Sequence, residues 1–286
     1  MIESDVPRRA SSVGALLQYW RKMRNFSQLA LANEADVSPR HVCFLETGRA
    51  QPSREMVLLL AKALDVPLRE RNALLLAAGY APMYKETKLD APELGRVRLA
   101  LDAILRQQEP FPAVIMNRTW DVLATNDAAQ RFFAFLLGPG AGSAPANVIK
   151  MMFHPSGLRP YVDNWESVAE ALVQRMHREA VAGVRDDATV RLLEEIFAYP
   201  DVPRRLRRPK VDIAVVPVLP VCFVKGGKKF NYFSTVTTLG TPLDVTLEEI
   251  RIECFFPADA NTEQLARELE KDTAAITLPG PRTFGP

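Results

Sequence analysis

Arg40 and Phe44 lie one helical turn apart in SPRHVCFLETG (residues 38–48). They are the side chains best placed to work by contact. If Val42 and Leu45 face a core, then at about 100° per residue Arg40, Cys43, Phe44 and Thr47 face outward. An outward-facing aromatic beside a guanidinium marks a contact surface. Signs of catalysis are sparse. There is no GxGxxG, P-loop, GxSxG or HExxH. Three histidines exist, and His154 and His177 with Asp163 or Glu166 could make a metal or acid–base site, though no motif spacing supports one. Cys222 and Cys254, expected on neighbouring strands, could sense oxidation, but buried strand cysteines are more often inert.

A chain of 286 residues suits two domains, each with its own core. Charged residues at 24% and hydrophobic ones at 48% are ordinary for a soluble protein. The net charge of +2 does not announce a polyanion partner, but residues 1–80 hold eleven Lys and Arg against eight Asp and Glu, a surplus of +3. Three cysteines without CxxC spacing argue against a disulfide framework or a cysteine zinc site. With no leader-like start and no long apolar run, a soluble cytoplasmic protein without membrane contact is expected.

The elements that must position Arg40 and Phe44 are short helices. Val13, Leu16, Leu17 and Trp20 recur at amphipathic spacing behind a Ser11 or Ser12 cap. Ser27 caps a second helix, QLALANE. Ser38 caps the third, with Pro39 at N1, Val37 and Val42 as a hydrophobic staple, and Gly48 as the left-handed stop. Pro52 and Ser53 open a fourth helix with Met56, Val57, Leu60, Ala61 and Leu64 inward, and a fifth runs from Leu68 to Ala78. This predicts an all-α five-helix domain over residues 1–80.

YAPMYKETKLDAP reads as a linker, and Glu93 to Gln108 as a connector helix with Leu94, Val97, Leu101 and Ile104 at a/d spacing, so residues 81–109 form the joint between domains. That seam either packs on its own domain or forms a subunit interface. From residue 110 to 286 the pattern becomes α+β. Strands AVIMN and WDVLATN are followed by helix DAAQRFFAFLL, a short helix at NVIKMMF, a long one from Asp163 to Ala180 and another over Asp187 to Phe197. Strands VVPVLPVCFVK, KKFNYFSTVTTL and VTLEEIRIECFFP follow, the first two joined at Gly226–Gly227. Residues 262–271 form a closing helix. The basic run Arg204, Arg205, Arg207, Arg208 and Lys210 has three readings: a solvated loop, a second DNA-backbone contact, or an anchor for a ligand carboxylate.

The run LLQYWRKMRNFSQLALANEADVSPRHVCFLETGRAQPS (residues 16–53) resembles the Xre/Cro-type helix-turn-helix family, a lambda-repressor-like fold, over residues 12–65. Asp36 stands where that family often has Gly, and Asp tolerates the left-handed turn. The resemblance implies that Gln28 contacts a phosphate and buttresses the recognition helix. It also implies that Ser38, Pro39, Arg40 and Phe44 face bases, and that Arg21 and Glu46 form a partly buried ion pair. Arg40 would then read guanine, and Pro39 or Phe44 a thymine methyl. His41 either adds a phosphate or base contact or is a simple N3 residue. Arg24, Arg49 and Arg54 flank the unit as phosphate holders.

AVIMNRTWDVLATNDAAQRFF resembles a PAS-like strand–turn–strand–helix opening: an antiparallel sheet with helices on one face. Together with YVDNWESVAEALVQRMHREA it resembles the MmyB-like regulators. That resemblance implies no obligatory cofactor but a small apolar effector, such as a fatty acid, between sheet and helices. Met116, Leu123, Phe132, Phe133, Met152, Trp165, Leu172, Met176, Phe223 and Phe233 are candidate lining residues; each is otherwise plain core. The expectation is a homodimeric, effector-controlled transcription factor on operator DNA, with two alternatives. One is a constitutive DNA-bound scaffold that recruits a protein partner, and the other a DNA-tethered enzyme at His154 or His177.

Overall fold

Four serines set the starts of the first four helices. In the computed structural model, which describes residues 12–138, 147–182, 187–207, 218–240 and 242–273, each accepts a hydrogen bond from an amide three residues on. Ser12 takes Ala15 N–H at 3.3 Å, Ser27 takes Ala30 N–H at 3.0 Å, Ser38 takes His41 N–H at 3.1 Å and Ser53 takes Met56 N–H at 3.2 Å. They open α1 (Val13–Met23), α2 (Gln28–Glu34), α3 (Pro39–Glu46) and α4 (Arg54–Ala63). α5 (Leu68–Ala77) follows Pro67, which offers no side-chain cap. The stops are left-handed residues: Asn25 (φ 55°), Asp36 (φ 51°), Gly48 (φ 70°), Asp65 (φ 46°) and Gly79 (φ 87°). At Asp36 the Val37 N–H reaches back to Ala32 O at 2.9 Å, so the aspartate closes the turn as glycine would.

The chain forms two compact units. The first gathers Met1–Glu86 with the short later segments Arg178–Val190 and Thr241–Glu248, and the second holds the remainder. In the first, Leu16, Leu17 and Trp20 of α1 pack with Leu31 of α2, Val42 and Leu45 of α3, Val57 and Leu60 of α4, and Leu74 of α5. Gly14 sets the α1–α3 distance. A Cβ built there would lie 2.4 Å from Leu45 O and 2.7 Å from Glu46 O, so a side chain is excluded. Asn72 of α5 holds the start of the expected linker. It accepts from the Met83 and Tyr84 amides at 2.9 and 3.0 Å and donates to Tyr84 O at 2.7 Å.

The second unit contains, in order, α6 (Gly95–Gln107), β1 (Ala113–Met116), β2 (Val122–Thr125), α7 (Asp127–Leu137), α8 (Val148–Phe153), most of α9 (Trp165–Ala182) and of α10 (Asp187–Ala198), whose facing ends between Arg178 and Val190 belong with the first unit, β3 (Leu219–Lys225) and β4 (Lys228–Thr238). Then come α11 (Val245–Glu249), whose residues through Glu248 belong with the first unit, β5 (Arg251–Pro257) and α12 (Ala260–Thr273). The five strands form one antiparallel sheet in the order β2-β1-β5-β4-β3. This is the α+β, PAS-like layout expected, with the two late strands joined through Gly226 (φ 57°) and Gly227 (φ 77°).

Two local expectations differ. VTLEE is helical rather than part of the last strand, because Asp244 accepts the Thr246 N–H at 2.9 Å and starts a turn. Within the first unit, Glu248 then accepts the otherwise uncapped Leu68 N–H of α5 at 2.7 Å. Cys222 and Cys254 are also not on neighbouring strands, since β4 lies between β3 and β5. The period-two pattern gives strand faces but not strand order, which long-range pairing decides.

Asn126 knots the start of this unit. Its Oδ1 accepts from Ala113 N–H of β1 and Ala129 N–H of α7, both at 2.9 Å, while its Nδ2 donates to Phe111 O at 2.8 Å. One side chain thereby caps a helix and fixes a strand to it.

Candidate functional site

The candidate recognition surface is built from α2 and α3. Val42 and Leu45 are each 1% exposed, which turns Arg40 and Phe44 outward. The Arg40 guanidinium lies 5.1 Å from the Phe44 ring centroid and that of Arg49 lies 5.9 Å from it. Phe44 thus makes a platform with two cations, which orders the arginines without neutralising them. Ser38 and Pro39 are exposed at the helix start, and half-buried His41 gives its amide to the Ser38 cap. Arg54 is exposed at the first turn of α4.

Behind that surface sits a carboxylate. Glu46 accepts from Arg21 Nε at 2.6 Å and Nη2 at 2.8 Å, and from Gln28 Nε2 at 2.8 Å, while Arg21 Nη1 donates to Phe26 O at 2.9 Å. The side chains of Arg21 and Glu46 are 11% and 1% exposed. Glu46's hydrogen bonds hold Arg21 charged against the opposing effect of burial. Three helices are tied at one point, so Gln28, at the start of α2, is set by the end of α3. Arg24 is placed differently from a simple phosphate holder. It donates to Leu64 O at 2.9 Å and Asp65 O at 2.6 Å, where α4 ends, so its guanidinium already serves two carbonyls of its own fold.

In the second unit the helix-facing side of the sheet is an aromatic layer. Phe132 of α7 meets Phe223, Phe230 and Tyr232 edge-on at 5.1, 5.2 and 5.5 Å. Met116, Met152, Trp165, Leu172 and Met176 lie in the same cluster, with Phe133 packed against it. Trp165 donates its indole N–H to Met152 O at 2.9 Å and carries Arg159 on its ring at 4.2 Å. Two candidates stand elsewhere. Leu123 is half-buried on the edge strand β2 outside that cluster. Phe233 points to the opposite face of the sheet, stacked on Phe256 at 5.4 Å.

The NRTWD turn between β1 and β2 is a polar knot that period-two reading passed over. Asn117 Oδ1 accepts the Thr119 and Asp121 amides, each at 2.9 Å, and Asn147 Nδ2 donates to Thr119 O at 2.7 Å and Asp121 Oδ1 at 2.8 Å. Burial alone would raise the Asp121 carboxyl, but hydrogen bonds from Asn147, Thr119 and Asn117 hold it below its ordinary value. Trp120 takes a left-handed backbone (φ 66°) and is 1% exposed. A bulky residue in that conformation costs on the order of 1–3 kcal/mol, so its surroundings over-determine it. The dense Asn, Thr and Asp of the turn were the available signal.

The residues considered for other chemistry do not converge. His154 accepts the Ser156 amide and edges onto Tyr199, Asp163 pairs with Lys229, and Glu166 pairs with Arg205. Burial lowers the pKa of His177 and raises those of Cys222 and Cys254, which suppresses thiolate. Among the described residues no group of three His, Cys, Asp or Glu could hold a metal ion, and no helix is long and apolar enough to cross a membrane. Of the basic run, Arg204, Arg205 and Arg207 lie in a single 3-10 turn, with Arg207 on the Phe197 ring at 5.3 Å. Arg208 and Lys210 lie outside the described residues.

A five-helix unit with an outward Arg–Phe surface, joined to an α+β unit with an aromatic interior, defines a DNA-binding head with an attached sensory-type domain. Comparison with known families agrees for both parts. Residues 17–71 match the helix-turn-helix family, and residues 97–269 match the MmyB-like transcription regulator ligand binding domain. The chain belongs to the MmyB-like transcription regulators, and it is a DNA-binding transcriptional regulator. No curated protein matches it.

Proposed function

We propose that this regulator acts as a homodimer whose two heads read half-sites about one helical turn apart, under the control of a small apolar effector held by the second unit. The observation that carries the reading is the platform formed by exposed Arg40 and half-buried Phe44 of α3 with exposed Arg49 just beyond it, braced from behind by the Arg21–Glu46–Gln28 cluster. Arg40 hydrogen-bonds a guanine edge, Phe44 or Pro39 covers a thymine methyl, and Gln28 and Arg49 position phosphates.

The effector reading is supported by the layer around Phe132. Methionines from β1, α8 and α9 meet rings from three elements there, a composition that adapts to flexible apolar ligands. Selection from a random DNA pool tests the first part: a palindromic motif supports it, and recovery without a motif removes it. Mass spectrometry of natively purified protein tests the second. A retained lipid-like molecule supports it, whereas apo protein whose DNA affinity ignores long-chain acids and alcohols counts against it.

A further inference from the structure

Pro67 leaves the first amide of α5 without a local cap, and a residue 180 positions later supplies one. Glu248 Oε2 accepts the Leu68 N–H at 2.7 Å, which also sets a carboxylate at the positive end of the helix. The start of α11 is held as well: Val245 N–H donates to Lys85 O at 2.8 Å, and Asp244 forms a parallel bridge with Lys85. All of these residues belong to the first unit. The next glutamate has its partner beside the sheet. Glu249 Oε1 pairs with Nε of Arg118 in the β1–β2 turn at 3.3 Å, and Arg251 Nη1 donates to Arg118 O at 3.5 Å. Those residues belong to the second unit.

The boundary between the units thus falls between adjacent glutamates of one five-residue helix. A helix that short is not stable by itself, so these bonds set where it lies. Within the first unit the bonds continue to the recognition helix. Just before Leu68, Leu64 O and Asp65 O accept from Arg24 at the end of α1. One turn earlier Arg21 grips Glu46 at the end of α3, and Glu46 holds Gln28 at the start of α2. Within the second unit, Ile250, 1% exposed, follows Glu249 and leads at once into β5. That central strand pairs with both β1 and β4, so a change in the sheet reaches α11 with no loop between.

From this arrangement we infer that α11 is the coupling joint of the regulator, through which the state of the sheet biases the α5 end of the DNA-reading head. Glu248 and Glu249 are its positioning residues, the first acting through the Leu68 amide and the second through Arg118. The inference rests on the reading that the second unit controls the head, and it adds the route; it is independent of the effector's chemistry and of dimerisation. Coupling is reciprocal, so a change at either glutamate is felt at the other.

The Leu68 amide is the reporter, because it has no acceptor within its own helix and its protection depends on Glu248. Amide-resolved hydrogen exchange of the full chain, with gel shifts on the duplex recovered from the random pool, tests the joint. Glu248→Ala speeds exchange at Leu68 by about tenfold, Glu248→Gln by less, and Arg118→Gln, in the other unit, by about threefold. Each lowers affinity for the duplex, and Arg118→Gln combined with Glu249→Gln does no more than either alone. Exchange at Leu68 that ignores Arg118→Gln and Glu249→Gln overturns the joint, as does exchange that responds while DNA affinity is unchanged. Unaltered exchange in Glu248→Ala removes the cap itself and the inference with it. Where Arg118→Gln unfolds the second unit, seen as lost near-ultraviolet dichroism, Glu249→Gln alone carries that arm. If the pool returns no motif, the sequence-reading proposal fails, and a random-sequence duplex serves for the affinity arm.

Discussion

Gln28 Nε2 donates to Glu46 Oε2 at 2.8 Å, so the first residue of α2 and the last of α3 share one carboxylate, which Arg21 of α1 also grips. The angle between the two helices of the DNA-reading pair therefore depends on a charge buried beneath them rather than on the turn alone. Removing one member of a buried pair strands the other, at a cost of about 3–5 kcal/mol. Glu46→Ala should lower the unfolding free energy of the head, read from urea denaturation of the full chain, by that amount, and Arg21→Met with Glu46→Leu should recover most of it. Gln28→Ala, which leaves the ion pair intact, should weaken DNA binding alike on all sequences.

Arg40 and Arg49 both lie over Phe44 but have different expected tasks. Arg40→Ala should cost about 1–3 kcal/mol on the selected operator and relax the preference at one base position. Arg49→Ala should weaken binding evenly and reduce the salt slope by about one. Gel-shift titrations across salt concentrations, on matched and mismatched duplexes, separate the two. A flat response to base changes in the Arg40→Ala series would mean that the arginine does not read sequence.

Gly14 faces the Leu45 carbonyl across the α1–α3 contact. Alanine normally gains up to about 1 kcal/mol over glycine inside a helix. Here its Cβ would overlap backbone oxygen, which no rotamer relieves. Gly14→Ala should therefore destabilise by at least about 1–3 kcal/mol, as overpacking does, and reduce operator affinity because α3 shifts. Thermal melting together with DNA binding checks both.

Glu253 gives a pH signature. Its carboxyl pKa is raised, chiefly by burial, with Ser234 and Arg175 opposing. A folded-state pKa above the unfolded one means that the native state holds more protons in the interval between them. The contribution is fully present below the unfolded pKa and is lost as pH rises through the folded one. Glu253→Gln should thus raise the melting temperature near neutral pH, with the difference from the parent shrinking as the pH falls below about 4.5. Melting curves of both proteins between acid and neutral pH measure it; a difference that grows toward acid refutes the assignment.

His177 works in the reverse sense. Burial depresses its pKa, with a backbone hydrogen bond at Leu206 opposing, so the unfolded chain binds more protons and stability falls as pH drops below about 6.5. His177→Gln should flatten that limb of the stability profile.

Much of the DNA-reading head was legible because its signals are local. Each serine cap, the proline at N1, the left-handed Asp36 and the outward pair Arg40 and Phe44 depend on residues within one or two turns. The same holds for the Asn126 cap of α7 and the Gly226–Gly227 hairpin. Gly14 was illegible, since its need for no side chain arises from α3, about 30 residues away. Arg24 read as a surface cation, because its carbonyl partners at the end of α4 are far along the chain.

By itself the sequence determined the helices of the head, the faces they present and the change from helical period to strand period after residue 110. Those follow from dihedral preferences and apolar spacing, which act over a few residues. Only tertiary structure decided that β5 is the central strand, that Phe233 leaves the interior while Glu253 enters it, and that two arginines meet over Trp120. Strand order and register are fixed by pairing across long loops, and one residue of register reverses every face. The outward face of α3 was therefore visible in the chain, whereas the polar groups at the edge of the second unit's aromatic layer became visible only when the sheet was assembled.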